Sequence, residues 1–221
     1  MNQKIVHTTP RITLFGGGEI KKQQISRAVK LAPYIVAADK GALTALRHGL
    51  VPDAVFGDMD GDAGELAKVL PADRIHRIAE QDSTDFEKCL YSIAADFVIA
   101  LGVTGNRLDH SLAAFNALCK FPDMRVVILS GKDMCFLSPL TITLDLPVGT
   151  RLSLFPMGEA SGSSVGLEWP IDGIKFSPMG RVGTSNQTRS AQVTLSFTRR
   201  NMLVILPAKH LGNVIKRLTK T

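Results

Sequence analysis

Through the first 130 residues, short apolar runs alternate with stretches whose apolar positions recur at helical spacing. Residues 11–15 (RITLF) predict a strand that runs into Gly16, Gly17 and Gly18, and residues 20–31 then predict a helix. Residues 34–38 (YIVAA) stop at Asp39 and are followed by a short helix over 42–47. Residues 53–56 (DAVF) stop at Gly57-Asp58, with a helix over 63–70 and another strand over 74–78. Residues 85–95 predict an amphipathic helix with Phe86, Leu90 and Ile93 on one face. A strand over 97–101 (FVIAL) ends at Gly102, a helix covers 112–119, and a strand over 124–129 closes the series. Strands alternating with helices across short connections imply a mainly parallel sheet covered by helices.

The pattern changes near Asp133. Alternating apolar runs now appear at 134–137, 142–146, 151–155, 193–197 and 202–206. Turn-forming stretches separate them, such as Pro156-Met157-Gly158 and the serine-rich 161–164. This is the signature of an antiparallel sandwich or barrel. The boundary falls between Leu129 and Asp133 and divides the chain into 1–131, an α/β domain, and 132–221, an all-β domain.

Composition narrows the classes. Hydrophobic residues are 45% and charged residues 21% of 221 positions, which suits a globular core and excludes disorder, collagen and coiled coil. No apolar run reaches the ~18 to 20 residues of a membrane helix, and the first residues lack the apolar segment of a signal peptide. Cys89, Cys119 and Cys135 are unclustered among apolar neighbours, so they read as core thiols in a reducing compartment, with the cytoplasm as default. The net charge of +6 conceals an asymmetry: no acidic residue follows Asp172, while nine Lys or Arg do, and the first 172 residues carry 17 basic against 20 acidic groups. The basic charges are interleaved with strand-like runs and accompany no nucleic-acid motif, which argues against a nucleic-acid partner and for a solvated basic face or attraction of an anionic substrate.

Ligands of open α/β sheets bind beyond the carboxyl ends of the strands. The residues expected there are Gly16 to Gly18, Asp39, Asp58, Asp60, the Gln81–Asp85 stretch, and Thr104 to Asp109. Ten of the fourteen Asp residues lie between Asp39 and Asp109. Short carboxylates at strand ends suit Mg²⁺, which shares oxygen ligands with substrate phosphates, and glycine turns allow backbone N–H groups to approach phosphate. Structural roles compete for some of these residues. Asp62 with Glu65, and Thr84 with Glu87, form capping patterns, which leaves Asp85 in a helix first turn; Asp109 suits an N-cap. The glycine triplet is neither a P-loop nor G-x-G-x-x-G and by itself reads as a tight turn. Asp58 and Asp60, two apart in an extended segment, share one side and require a cation or an arginine to offset their repulsion.

Four segments then carry a resemblance: Ala38-Asp39-Lys40-Gly41-Ala42; Pro52-Asp53 through Gly57-Asp58-Met59-Asp60; Gln81-Asp82-Ser83-Thr84-Asp85; and Gly102-Val103-Thr104-Gly105-Asn106-Arg107-Leu108-Asp109-His110. Gly166-Leu167-Glu168-Trp169 and Ser185-Asn186 follow in the second half. In this order, over roughly residues 12 to 205, they resemble the thiamine pyrophosphokinase family. The resemblance implies an α/β domain that binds Mg–ATP and a β-sandwich that binds thiamine, with transfer of a pyrophosphoryl group to the thiamine hydroxyl, release of AMP, and a site shared between the subunits of a homodimer. It implies Asp58, Asp60 and Asp85 as Mg²⁺ ligands; Asp39, Gln81, Thr84, Arg107 and Asp109 around the nucleotide; and Asp39 or Asp60 beside the reacting hydroxyl. Trp169 corresponds to the aromatic platform under thiamine, with Ser185 and Asn186 as polar contacts. Lys40 and Gly61 depart from the family pattern, which has Gly and Ser there. Competing readings are a related Mg-dependent diphosphokinase or nucleotide hydrolase, and a non-catalytic thiamine- or nucleotide-binding protein.

Overall fold

The computed structural model describes residues 4–60, 63–105 and 107–219, so Gly61, the predicted cap Asp62, Asn106 and Lys220 lie outside the described residues. The chain divides into two compact units, Met1–Ser130 and Gly131–Thr221.

The first unit is α/β. Its strands are β1 (Val6–Phe15), β2 (Tyr34–Ala38), β3 (Ala54–Gly57), β4 (Ile75–Arg77), β5 (Ile93–Leu101) and β6 (Val126–Ser130). Its helices are α1 (Lys22–Leu31), α2 (Gly41–Arg47), α3 (Ala63–Ala67), α4 (Asp85–Ser92) and α5 (Leu108–Lys120). The strands lie in the order β6-β5-β1-β2-β3-β4, every pair parallel. Strands covered on both faces are continuously apolar rather than alternating. Accordingly Ile12, Leu14, Phe15 and the whole of Val98 to Leu101 are fully buried.

Helix boundaries differ from the sequence reading at several places: the helix expected over 63–70 ends at Ala67, the one expected over 20–31 starts at Lys22, and two further differences have a clear physical cause. The helix predicted over 85–95 ends at Ser92, and Ile93 begins β5 opposite Val6. Phe86, Leu90 and Ile93 are all buried, but Ile93 is buried as a strand residue, because pairing with β1 outweighs local helical periodicity. The predicted helix over 112–119 starts earlier, at Leu108 with Arg107 as its N-cap residue, so Asp109 sits in the first turn and is not the cap. Thr84 and Glu87 form the predicted capping box: Glu87 N–H donates to Thr84 Oγ1 at 3.3 Å, and Thr84 N–H donates to Glu87 Oε2 at 3.0 Å.

The second unit contains β7 (Asp133–Leu137), β8 (Thr141–Asp145), β9 (Arg151–Pro156), β10 (Ala160–Val165), β11 (Lys175–Phe176), β12 (Gly183–Gln187), β13 (Gln192–Phe197) and β14 (Met202–Pro207), then α6 (Leu211–Leu218). Strands β12-β9-β14-β7 and β11-β10-β13-β8 form two antiparallel layers, a sandwich. Leu144, Leu152, Leu154, Val193, Leu195 and Val204 are fully buried in its core. Residues 161–164, read from sequence as a turn, belong to β10: Ser161 pairs with Lys175 of β11, and Gly162, Ser163 and Ser164 pair with β13. Ladder hydrogen bonding holds this serine-rich segment in a strand its side chains do not favour. Helix α6 was not predicted; Leu211, Val214, Ile215 and Leu218 give it a buried face, and Arg217 forms an ion pair with Asp145.

Candidate active site

The parallel sheet changes direction of travel between β1 and β5: the chain leaves β1 for β2 on one side and later leaves β5 for β6 on the other. Such a switch point opens a crevice beyond the strand ends. A cleft of about 550 Å³ lies there, lined by Gly16 to Gly18, Asp39, Lys40, Asp58, Gln81, Thr84, Asp85, Lys88, Gly102 to Gly105, Arg107 and His110. The glycines follow from chain crossing. A Cβ on Gly16 would stand 2.5 Å from the Gly102 carbonyl oxygen, and Gly18 N–H donates to that oxygen at 2.8 Å. Gly16 and Gly18 are therefore required by the approach of the β1 and β5 ends, whereas a Cβ on Gly17 would meet only Lys40 Cβ at an ordinary 3.5 Å.

Asp39 ends β2 in a left-handed conformation, with φ 42°, and its N–H donates to Phe56 O at 2.8 Å. Gly41 follows because a Cβ there would come within 2.1 Å of Phe15 O. Lys40, the departure from the family pattern, has an ordinary helical φ of −56°, so a side chain is accommodated without strain and points its exposed chain at the cleft rim. Asp53 is structural: its carboxylate accepts the Ile35 N–H at 2.8 Å and fixes the start of β2.

The three expected metal ligands are distributed unequally. Asp58 and Asp85 line the cleft, whereas Asp60 is exposed outside its lining, 4.0 Å from Arg77. The segment is not extended as the spacing suggested, since Met59 has φ 60° and Asp60 N–H turns back onto Asp58 Oδ1 at 3.2 Å. Among the described residues, no group of three or more His, Cys, Asp or Glu is arranged to hold a metal ion. The Asp60 amide, then the Gln81 side-chain amide at 3.2 Å, hold the Asp58 carboxyl below the usual range, and the charges of Lys88 and Arg77 add to this. Lys88 escaped the sequence reading. It lies one helical turn after Asp85, is 1% exposed, and sets its Nζ 3.4 Å from Asp85 Oδ1. The i, i+3 spacing of acid and amine was the available signal.

Gln81 and Thr84 reach the cleft on a loop pinned by Glu80. Its carboxylate accepts the Ser83 hydroxyl, the Tyr91 hydroxyl at 2.9 Å and the Asp82 and Ser83 amides, and the Ser83 bond first among these holds its pKa at about 2. At the other rim, Asp109 accepts from Arg107 Nη2 at 2.5 Å and Nε at 3.2 Å. That bidentate pair orients the guanidinium, and with the His110 amide it keeps the Asp109 carboxyl at about 2. Asp109 thus acts on Arg107 and does not itself line the cleft, while His110, not singled out from sequence, does.

In the second unit, Trp169 is 58% exposed, which rules out a core role. Asn186, by contrast, is 8% exposed: its Oδ1 accepts from Trp169 N–H at 3.3 Å and Gln187 N–H at 2.8 Å, and its Nδ2 donates to Trp169 O at 2.7 Å. The amide that the resemblance assigned to ligand contact is engaged in holding the tryptophan backbone. Ser185 is exposed at φ 62°, with its N–H on Ser153 Oγ at 3.0 Å.

Two family descriptions match the chain: thiamin pyrophosphokinase, catalytic domain, over residues 25–128, and thiamin pyrophosphokinase, vitamin B1 binding domain, over residues 140–201. Thiamine pyrophosphokinase 1 of Oryza sativa subsp. japonica is 30% identical over 164 residues, 66% of this chain and 62% of the rice protein, so the chain spans less than two thirds of that relative's length. Thiamine pyrophosphokinase of Bacillus subtilis is 24% identical over 77% of this chain and 85% of its own. Among solved structures, thiamin pyrophosphokinase from Geobacillus thermodenitrificans superposes with a TM-score of 0.75 at 24% identity, covering 89% of this chain and 96% of its own, and supports the fold. With matches to both domains in order along one chain, this protein belongs to the thiamine pyrophosphokinase family.

Proposed function

We propose that this chain transfers the pyrophosphoryl group of ATP to the hydroxyl of thiamine, giving thiamine diphosphate and AMP. The observation that carries the reading is the cleft at the β1/β5 switch point, whose glycine floor is ringed by Asp39, Asp58, Asp85, Lys88 and Arg107. Such a site suits a polyphosphate: backbone and cationic groups for its oxygens, carboxylates for a hard cation. Mg²⁺ fits this donor set, because it is commonly held by one or two carboxylates together with substrate phosphates, and Asp58 and Asp85 both line the cleft. Bound there, Mg²⁺ would offset charge on the phosphate oxygens. Asp60, exposed beside Arg77, would join only as a peripheral ligand.

The thiamine hydroxyl oxygen attacks the β-phosphorus, the bond to the α,β-bridging oxygen breaks, and that oxygen leaves with AMP. Such transfer depends on alignment and charge stabilisation rather than covalent intermediates. Arg107, braced by Asp109, offers a fixed cation to the transferring group. Asp39, which lines the cleft, is the carboxylate we assign to orient the hydroxyl and receive its proton. Gln81 and Thr84 line the nucleotide side. Thiamine, a cation with two aromatic rings, suits the open face of Trp169 by stacking and cation–π attraction. Ser185 remains a polar contact for it, and Asn186 serves by holding the Trp169 backbone.

The proposal includes a homodimer in which Asp85 and Trp169 act from different chains at one site. Mixing inactive Asp85→Asn and Trp169→Ala proteins would then restore activity, whereas a monomer in sedimentation would reject that arrangement. Cys89, Cys119 and Cys135, unclustered along the chain, suit a reducing, cytoplasmic setting, and no described helix is long and apolar enough to cross a membrane. The activity is tested by coupled detection of AMP: release that requires thiamine supports transfer, and equal release without it supports the hydrolase.

A further inference from the structure

A lysine buried to 1% exposure is uncommon, because burying an ammonium is costly unless it is paired and hydrogen-bonded. Lys88 stands in the cleft wall, one helical turn from Asp85 on α4. Its ammonium carries three donors. The hydrogen bond to Asp85 spans 3.4 Å, at the long end of the range, and its positive charge is also felt at Asp58. The two carboxylates suited to a metal therefore already share an internal cation. The two neighbours of Lys88 on α4 serve packing and capping instead: Glu87 pairs with Lys120 at 2.6 Å, and Cys89 is buried.

Two consequences follow from this placement. Like charges repel, so a divalent ion entering alone must displace or tolerate the ammonium beside Asp85. A polyphosphate entering the same cleft brings oxygens that the ammonium can reach, which releases Asp85 to the metal. We propose that Lys88 is a phosphate-contacting residue whose ammonium counters Asp58 and Asp85 before nucleotide arrives, so that metal and nucleotide load together and the metal does not load first. This rests on the reading of the cleft as a metal–nucleotide site.

The test uses the full chain and three probes: inorganic pyrophosphate in EDTA by calorimetry, Mn²⁺ alone by electron paramagnetic resonance, and Mn–ATP. Lys88→Met keeps the apolar stem and removes the charge. It should weaken metal-free pyrophosphate binding at least about tenfold and tighten binding of Mn²⁺ alone several-fold. Lys88→Arg keeps the charge and should retain most of the pyrophosphate affinity, with Mn²⁺ binding still weak. A residue that merely packs would move neither probe, or both downward together with the melting temperature. Unchanged pyrophosphate affinity in a folded Lys88→Met protein, with Mn–ATP bound by the wild type, overturns the lysine proposal alone. Failure of the wild type to bind Mn–ATP overturns the nucleotide reading, and the lysine proposal with it.

Discussion

The two units build their candidate sites in opposite ways. In the α/β unit, residues from five separate strand ends and loops converge on one cleft, and the sheet topology alone dictates where that cleft lies. In the β unit, one exposed aromatic, Trp169, is displayed on a loop that a buried asparagine clamps through two hydrogen bonds to the Trp169 backbone. The first site is a set of charges needing mutual arrangement, so its components should be strongly interdependent. The second is a single surface held in place, so its loss should be graded.

That contrast is testable by the size of each effect. Asp85→Asn keeps shape and removes charge, and kcat/KM should fall at least about 100-fold, about 2.7 kcal/mol, with the fold intact; near-normal turnover would break the α/β half of the comparison. Trp169→Ala should cost thiamine affinity about 1 to 2 kcal/mol, and Trp169→Phe less, measured by titration. Because the ring is exposed, the melting temperature should hardly move; a loss of ~3 to 5 kcal/mol of stability would mark a core tryptophan instead. Lys40→Gly, which restores the family residue at an exposed, unstrained position, should change kcat/KM by less than about threefold, within the range of surface substitutions.

The smallest expected effect sharpens the comparison through stability. His210 is buried in the β unit, with Nε2 lacking a hydrogen-bond partner among the described residues, and burial first, then the Lys209 charge, lowers its pKa. The folded state therefore favours the neutral ring. Its contribution to stability is complete above the ordinary histidine value of 6.5 and is lost as pH falls through the lowered folded value. Melting at pH 7.5 and 5.5 should show a drop that shrinks in His210→Gln; an identical drop in both proteins would contradict this role.

Much of this was legible from residues alone, for identifiable reasons. Apolar runs such as FVIAL carry their burial in their composition, and the strand-end carboxylates Asp39 and Asp58 stand where the cleft lies. What escaped depended on partners distant in sequence. Ile93 left its helix because Val6 pairs with it, and the serines of β10 form a strand because β11 and β13 lie alongside. Asp58 and Asp60 separated because the backbone turns at Met59, a residue type with no preference for positive φ. Asn186 could be placed near Trp169 through family resemblance, but its role as a clamp required the fold. Lys88 needed both: helical spacing set it beside Asp85, and only packing revealed its burial.

The central claim is transfer of an intact diphosphate from nucleotide to thiamine, and following a label from γ-labelled ATP tests it most directly. With Mg²⁺ and thiamine present, the label should appear in thiamine diphosphate, one for each unlabelled AMP formed, and both products should vanish together in Asp85→Asn. Label released as orthophosphate or pyrophosphate at the same rate with and without thiamine would contradict the account and make the chain a nucleotide hydrolase.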